Sequence, residues 1–280
     1  MRAFMVEKYG GQAGMRAAEM PDPQVGADDV LVRIHAASVN PLDLNIRNGD
    51  FKAILPYRLP LALGNDLAGE VLQVGSSVTR FAVGDEVWAR PDKDRIGTFA
   101  ELLAVHQDDL APKPATLTMT EAATLPLVAL TAWQALVERA RVEPGQKVLI
   151  HAGAGGLGSI AVQLAKELGA HVATTASTAK VDLVKNLGAD EVIDYRAQDF
   201  TEIPALSSRT RRQAKRLGVT YSFLFMKASG DQLRALTPLI DTGKIRPVVD
   251  TVFPFDDTLH AMEYVEKGRA KAGKVVVSMT

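Results

Sequence analysis

The feature that most constrains this chain is a glycine-rich turn between a strand and a helix, in residues 147–170. Residues 147–152 are a short apolar run of strand type, residues 153–158 read Gly-x-Gly-x-x-Gly, and residues 159–168 carry apolar side chains at helical spacing. Another apolar run, residues 171–177, follows. Because this order of strand, turn, helix and strand is the context of a dinucleotide fingerprint, the segment predicts a parallel sheet with a dinucleotide at the turn.

Each glycine of the motif has its own expected role. Gly153 permits the tight turn, Gly155 lets a pyrophosphate approach the backbone, and Gly158 lets the helix pack closely on the strand. The N–H groups of Gly156 and Leu157, at the positive end of the helix dipole, are expected to face the anion. The alternative is a strand-helix-strand crossover whose glycines only ease packing.

Composition excludes several classes of protein. The chain has 280 residues, enough for two domains or for one domain with a large insertion. Lys plus Arg number 32 and Asp plus Glu 33, so no overall field favours nucleic acid or an anionic membrane. The absence of cysteine excludes disulfides, thiolate zinc sites and a cysteine nucleophile. No apolar stretch is long enough for a membrane span and no signal peptide is visible, so we expect a cytoplasmic protein.

The chain divides into two differently patterned halves. Up to Pro114, short strand-like runs are separated by Gly, Pro, Asn and Asp. Thr118 or Thr120 can then cap a helix with Glu121 in its first turn. From there strands and helices alternate, which predicts an α/β fold with a doubly wound parallel sheet. The last apolar run, residues 274–279, is expected to return to the β-rich half.

Several spaced motifs agree with one another. They lie at residues 38–43, 63–69, 74–87, 130–132, 152–158 and 187–195. As a set they resemble the medium-chain dehydrogenase/reductase superfamily, specifically its zinc-free NADPH:quinone and enone oxidoreductases. The resemblance implies a GroES-like β-rich substrate domain at residues 1–117 and 247–280, a Rossmann domain at residues 118–246, and a cleft between them. It also implies a homodimer.

The region after the second strand of the glycine-rich unit indicates which dinucleotide to expect. An NAD site places Asp or Glu about 20 residues beyond the start of the motif, where it binds the ribose 2′-OH. Residues 174–180 contain no carboxylate, whereas Ser177 can donate to a 2′-phosphate and Lys180 can neutralise it. The resemblance places Tyr195 at the same end. NADPH is therefore the predicted cofactor. The alternative is that Ser177 caps the next helix, Lys180 is solvated and Tyr195 packs at a strand end.

The nicotinamide end is assigned by the resemblance alone. It implies Asn40, after a long strand, and Thr131, in the helix between the two halves. Phe223 and Phe225, from the family's sixth strand at residues 219–226, are predicted to bind the cofactor, without assignment to either of its ends. Asn40 could instead stabilise its own turn.

Two residues are candidates for contact with the substrate. Asn45 stands where related enzymes often have Tyr or Lys, and Tyr57 is a candidate proton donor. Phe51 is an alternative lining residue. We found no Ser-Tyr-Lys set and no pair of carboxylates at informative spacing.

Zinc is not expected. Relatives that use catalytic zinc have a cysteine near Asn40, a histidine where Asn65 stands before the acidic Asp66, and another cysteine near Leu127. The five histidines have no spacing such as HxxxH that would bring two of them together on a helix face.

The chain departs from the family after Glu202, where a strand-helix-strand unit of about 30 residues is missing at 202–203. Residues 219–226 would then pair directly with residues 147–152. The resemblance implies transfer of a hydride from NADPH to a quinone or an α,β-unsaturated carbonyl, without a metal. The alternative is a non-catalytic NADPH-binding sensor or a decayed enzyme, as a consequence of the missing unit.

Overall fold

The computed structural model describes residues 1–197 and 224–279. The first half of the chain contains eight strands: β1 Arg2–Val6, β2 Met15–Glu19, β3 Asp29–Val39, β4 Leu61–Ala62, β5 Asp66–Val74, β6 Glu86–Ala89, β7 Leu102–His106 and β8 Leu110–Pro112. Five more follow: β9 Lys147–Ile150, β10 His171–Ala176, β11 Glu191–Asp194, β12 Val249–Pro254 and β13 Lys274–Ser278. The helices are α1 Pro41–Asn48, α2 Met119–Ala122, α3 Pro126–Trp133, α4 Gly156–Glu167, α5 Val181–Asn186, α6 Gly230–Asp241 and α7 Thr258–Glu266.

The largest sheet of the described residues has seven strands in the order β12-β13-β3-β5-β6-β8, with β7 also paired to β3. Its centre is β3, which pairs antiparallel with β5, β7 and β13. The last strand, β13, thus joins the β-rich half, as its apolar run suggested. The first half of the chain also forms a small three-stranded sheet in the order β2-β1-β4. The boundaries at residues 117 and 247 stay a prediction.

A parallel sheet of β11, β10 and β9 follows the glycine-rich pattern of the sequence. The α/β architecture predicted from the alternation is confirmed. One hydrophobic core joins Leu130 of α3, Leu164 of α4 and Leu233 of α6, and it extends to Trp88 of the large sheet. This shared core fixes the glycine-rich turn against the β-rich half.

The local predictions are met to different degrees. After α3 the chain continues as a π-helical stretch, Gln134–Arg139. Thr118 caps α2, with Glu121 donating its N–H to the Thr118 hydroxyl. Of the strand predicted at residues 219–226, the described part, Leu224–Met226, is not a strand, and the rest lies outside the described residues. Among the helices of residues 1–197 and 224–279, none is both long and apolar enough to span a membrane.

Candidate active site

The glycine-rich turn is held by β10, the neighbouring strand. Ala152 donates its N–H to the Thr175 hydroxyl at 2.9 Å, and Gly153 donates to the Thr175 carbonyl at 3.0 Å. The Thr174 hydroxyl donates to the carbonyl of Ile150 at 2.7 Å. Ala152 itself has a φ of 56°, in the left-handed region that costs a residue with a Cβ about 1–2 kcal/mol. The bonds from β10 therefore hold the turn in a shape that the local backbone does not favour.

The three motif glycines differ in how closely the protein approaches them. A Cβ on Gly153 would lie 2.2 Å from the Thr174 hydroxyl, and one on Gly158 would lie 2.1 Å from the carbonyl oxygen of Ala152. A Cβ on Gly155 would meet only that same oxygen, at 3.3 Å. Gly153 and Gly158 are thus required by protein packing. Gly155 leaves space beside the backbone, as the approach of a pyrophosphate requires.

The start of α4 is packed on the start of β13. Gly156 and Leu157 are its first two residues, and the first N–H groups of a helix have no partner within it. The Gly273 N–H donates to the Ala154 carbonyl at 2.9 Å, and the stem of Lys274 covers Gly156, where a Cβ would lie 2.7 Å from its Cδ. The Leu157 side chain is 43% exposed. This helix end therefore has the geometry of an anion site, anchored to the β-rich half.

The predicted adenosine end lies where β10 and β11 finish. Lys180 donates its N–H to the Ser177 carbonyl at 2.8 Å, and Tyr195 donates to the Ala176 carbonyl at 3.2 Å. The structure thus brings Ser177, Lys180 and Tyr195 together at one edge of the sheet. The Ser177 side chain makes no capping hydrogen bond, so the capping alternative is not observed. Within the described residues Lys180 forms no ion pair.

A buried polar network lies beneath α1, and we define it as Ser38, Asn40, Asp43, Asn65, Asp66 and Lys274. Its centre is the Asp66 carboxylate, which accepts from the Ser38 hydroxyl at 2.8 Å, the Asn40 amide at 2.8 Å, the Leu127 N–H at 2.7 Å and the Lys274 ammonium at 3.3 Å. The Lys274 ammonium also donates to the Asn40 side-chain oxygen. Burial lowers the pKa of Lys274.

Asp43 is the second carboxyl of the network. It accepts from the Asn40 N–H and from the Asn65 amide, both at 2.7 Å. Burial is the largest influence on its pKa and raises it to about 6, although these hydrogen bonds and the nearby Lys274 act in the opposite direction. The Asp43 carboxylate thus stabilises the turn at Asn40 through the Asn40 N–H, while the Asn40 side chain bonds to Asp66 and Lys274. Its contact with the cofactor stays a prediction.

An apolar cavity of about 220 Å³ lies between the two halves of the chain. The β-rich half contributes Leu42, Phe51, Ile54, Leu55 and Arg90, and the other half contributes Leu127, Thr131 and residues 224–226. The Thr131 hydroxyl donates to the Leu127 carbonyl at 2.6 Å. Thr131 is predicted to contact the nicotinamide and Phe225 to bind the cofactor, so two residues of the predicted cofactor site line this cavity.

The remaining candidates lie around this cavity or outside the described residues. Phe51 lines the cavity, whereas the Tyr57 hydroxyl donates to the Lys93 carbonyl at 2.7 Å. Burial raises the pKa of Tyr57 to about 12. Asn45 is half-buried on α1. Catalytic roles for Tyr57 and Asn45 stay predictions, and Phe223 is outside the described residues.

The residues at the zinc-ligand positions of related enzymes do not fit a zinc ion. Asn40, Asn65, Asp66 and Leu127 do converge, but the Asp66 carboxylate already accepts four hydrogen bonds, and the Lys274 ammonium supplies the positive charge beside it. Residues 1–197 and 224–279 bring no three His, Asp or Glu side chains together in a way that could hold a metal.

The sequence is similar to proteins of known family. Residues 26–115 match the alcohol dehydrogenase GroES-like domain, and residues 156–223 and 202–277 match two zinc-binding dehydrogenase families. The NADPH-dependent alkenal/one oxidoreductase of Arabidopsis thaliana is 36% identical over 99% of this chain and 79% of its own length. The mitochondrial NAD(P)H oxidoreductase RTN4IP1 of Mus musculus is 33% identical over 100% of this chain and 89% of its own. The chain belongs to the medium-chain dehydrogenase/reductase superfamily.

Solved structures of this superfamily have the same fold. The quinone oxidoreductase of Coxiella burnetii superposes with a TM-score of 0.90 at 31% identity, covering 100% of this chain and 99% of that one. A mycobacterial protein solved in complex with NADPH gives a TM-score of 0.86 at 27% identity, covering 99% of this chain and 100% of that one.

The alignment with the Arabidopsis enzyme contains positions that hold no residue of this chain. It extends over 308 positions, whereas the chain has 280 residues, so at least 28 positions hold no residue of this chain. The same difference for the mouse protein, aligned over 354 positions, is at least 74, so the size of the missing unit stays a prediction. The point of the deletion, at 202–203, lies outside the described residues.

Sequence reasoning missed two residues of the site, Lys274 and Arg90. Lys274 is the one charged residue in the apolar run that forms β13, and Arg90 follows directly on the buried end of β6. A charged residue next to a buried strand was the available signal in both positions, because such residues are almost never fully buried unless they are paired.

Proposed function

We propose that the protein is an NADPH-dependent oxidoreductase that reduces quinones or α,β-unsaturated carbonyl compounds without a metal. The observation that carries the proposal is one cavity with walls from both halves of the chain, anchored to the glycine-rich turn through the contacts of Gly273 and Lys274. Relatives named as quinone and alkenal/one oxidoreductases support it.

The residues of the turn and the sheet edge suit NADPH. Gly155, Gly156 and Leu157 would hold the pyrophosphate, and Ser177 and Lys180 would hold the 2′-phosphate. Tyr195 would lie against the adenosine. NADPH, when bound, supplies a hydride to the substrate carbon, and with one proton from water the products are the reduced carbonyl compound and NADP⁺.

The chain's own contribution is to bind and orient the substrate in a dry cavity. Leu42, Phe51, Leu55 and Leu127 exclude water from the reacting atoms, which strengthens every electrostatic interaction made there. Thr131 keeps its hydroxyl on the helix backbone, so its methyl group adds to the apolar wall. No acid is required, because water can protonate the reduced substrate.

The direct test compares binding with turnover. NADPH oxidation is followed at its nicotinamide absorbance with a panel of quinones and conjugated enones, and NADPH binding is measured by titration on the same preparation. We expect both binding and turnover. Tight NADPH binding with no turnover on any of these acceptors would instead favour a sensor or a decayed enzyme, and no binding would contradict the whole proposal.

Lys180→Glu tests the choice of cofactor. The substitution places a carboxylate at the 2′-phosphate position, so we expect affinity for NADPH to fall by about 10- to 100-fold, the range of a lost charge-assisted hydrogen bond. Affinity for NADH should change little. Equal losses for both nucleotides would remove Lys180 from the phosphate site.

The oligomeric state and the cellular location complete the proposal. We propose a homodimer, which light scattering of the purified chain can test, and a cytoplasmic location, which cell fractionation can test. Named relatives include mitochondrial and chloroplastic proteins, so the location is a property to be measured for this chain.

A further inference from the structure

Arg90 is a buried cation on the wall of the apolar cavity. Only 3% of the residue is exposed, although it lines the cavity together with Leu42, Phe51 and Leu127. Its Nη1 donates to the Pro91 carbonyl at 2.8 Å, and its Nη2 reaches the Asn65 side-chain oxygen only at 3.4 Å. Its Nε is buried and has no hydrogen-bond partner in the described part of the chain. A guanidinium has five N–H donors, so most of its capacity is left over.

No carboxylate of the described residues accepts a hydrogen bond from Arg90. Within the described residues Arg90 forms no ion pair, and burial lowers its pKa. The fields of Asp66, Asp92 and Asp109 favour the charged form of Arg90, but burial is the larger influence, and Asp66 is shared with the Lys274 ammonium. A buried charge without a partner is costly, so a ligand that brings negative charge to this wall would be strongly favoured.

We propose that Arg90 is a catalytic residue that binds the carbonyl oxygen of the substrate and stabilises the negative charge that forms on it during reduction. This inference rests on the proposed reductase function. It narrows the substrate class to small apolar molecules with one oxygen that becomes an enolate or phenolate. The cavity of about 220 Å³ suits this class, because pockets for drug-sized ligands are roughly 300–1,000 Å³.

The electron balance explains why the charge appears at that oxygen. When a hydride bonds to the β-carbon of an enone, the carbon-carbon π pair moves to form an enolate with a negative oxygen. When the hydride bonds instead to one carbonyl oxygen of a quinone, the ring becomes aromatic and the electron pair of the other carbonyl ends on its oxygen as a phenolate. One proton from water then completes the reduced product. Donors placed at a developing oxyanion stabilise the transition state more than the ground state, so Arg90 would raise kcat.

The first test uses 4-nitrophenol, whose anion absorbs in the visible and mimics the phenolate product. The full chain is titrated with this probe, with and without NADP⁺, near the pH at which the free probe is half ionised. We expect the wild type to bind the anion and increase its fraction. Arg90→Met should lose this binding by at least about tenfold, the loss expected for a hydrogen bond to a charged group. Arg58→Met removes the same charge from an exposed arginine and should behave as wild type.

The second test is kinetic. Arg90→Met should lower kcat for quinones and enones by about 100- to 1,000-fold, the range for a lost oxyanion donor, while NADPH affinity stays unchanged. Arg90→Lys keeps the charge and should recover part of both anion binding and kcat. Because Met suits an apolar wall and removes a buried charge, we expect Arg90→Met to fold, which its melting curve can check. If it does not, the Arg90→Lys and Arg90→Gln pair gives the same comparison.

The outcomes separate this inference from the proposed function. If the wild type oxidises no NADPH with any acceptor yet binds the phenolate through Arg90, the reductase function fails and the oxyanion site stands. If the wild type is active and Arg90→Met keeps both its kcat and its phenolate affinity, the inference is wrong and the function stands. Arg90 would then serve only to hold Pro91 and Asn65.

Discussion

The buried polar network around Asp66 and the open sheet edge around Ser177 both contain residues assigned to the cofactor. They differ in how many of their polar groups are already hydrogen-bonded within the protein. In the network Asp66 accepts four hydrogen bonds, and both ends of the Asn40 amide are bonded to other network groups. At the sheet edge the Ser177 side chain caps nothing, and Lys180 forms no ion pair within the described residues.

The difference shows where this chain uses its polar groups for stability and where it keeps them available for binding. The positions that hold zinc in related enzymes are committed to internal bonds here, with Lys274 as the buried cation. The polar groups at the end of β10 have few such bonds, so they could bind a 2′-phosphate without loss of bonds that hold the fold. The same superfamily framework thus stabilises one end of the cleft and leaves the other open.

A matched pair of lysine substitutions makes the sharpest test of this contrast. Lys274→Met removes the cation that faces Asp66, which leaves a fully buried carboxylate without its counter-charge. Breaking a buried pair in this way costs about 3–5 kcal/mol, so we expect the free energy of unfolding to fall by that amount. Lys180→Met should change it by less than about 0.5 kcal/mol, as surface substitutions usually do. Urea unfolding of both variants measures the difference.

The affinity for NADPH should show the opposite order, with the larger loss in Lys180→Met. Lys180→Met should weaken NADPH without affecting stability. Similar losses of stability in the two variants would contradict the contrast between a committed and an available lysine.

A second pair tests the contrast within the glycine-rich turn. Gly158→Ala places a Cβ against the Ala152 carbonyl, so α4 must shift and the free energy of unfolding should fall by about 1–3 kcal/mol, the usual cost of overpacking. Gly155→Ala brings its Cβ to 3.3 Å from the same oxygen, a tight contact that a small shift relieves, so it should cost at most about 1 kcal/mol. Its methyl group would occupy the side on which the pyrophosphate approaches, so it should weaken NADPH. Thermal melts with and without NADPH separate the two effects, and equal destabilisation would contradict the assigned roles.

The turn also shows how much of the site local sequence can predict. The role given to Gly158, close packing at the start of the helix, agrees with the structure, because a Cβ there would lie 2.1 Å from the Ala152 carbonyl oxygen. The α/β fold and the superfamily were equally accessible, because strand, turn and helix follow one another within a few tens of residues. When the parts of a motif are close together in the sequence, the local pattern is enough to predict their geometry.

Residues that meet across long distances in the chain could not be found this way. Lys274 reaches Asn40 and Asp66 only because β13 pairs with β3, more than 200 residues away. Arg90 becomes a cavity residue only where α3 and residues 224–226 close over it. Neither consequence can be seen in the local pattern. The strand predicted at residues 219–226 comes from the resemblance, with residues 147–152 as its partner, and in its described part, Leu224–Met226, no such pairing forms.

The last prediction probes the network itself through the titration of Asp43. The pKa of this carboxyl is about 6 in the folded protein, against its usual value of 3.8. As the pH falls from 6 to 3.8, the folded state therefore takes up a proton that the unfolded chain does not yet bind. Stability from this group is therefore fully present below pH 3.8 and is lost as the pH rises through 6. Between pH 7.5 and pH 5 the free energy of unfolding should gain about 1 kcal/mol from Asp43.

Comparison with Asp43→Asn isolates this contribution, because the amide cannot titrate whatever its effect on absolute stability. Urea unfolding at several pH values should show that the wild-type gain on acidification is about 1 kcal/mol larger than that of the variant. Asp50→Asn, which removes an exposed carboxyl just after α1, should keep the wild-type pH dependence. Parallel curves for the wild type and Asp43→Asn would mean that Asp43 titrates as an ordinary carboxyl. The network would then be as open to water as the sheet edge around Ser177, and the contrast between the two regions would not hold.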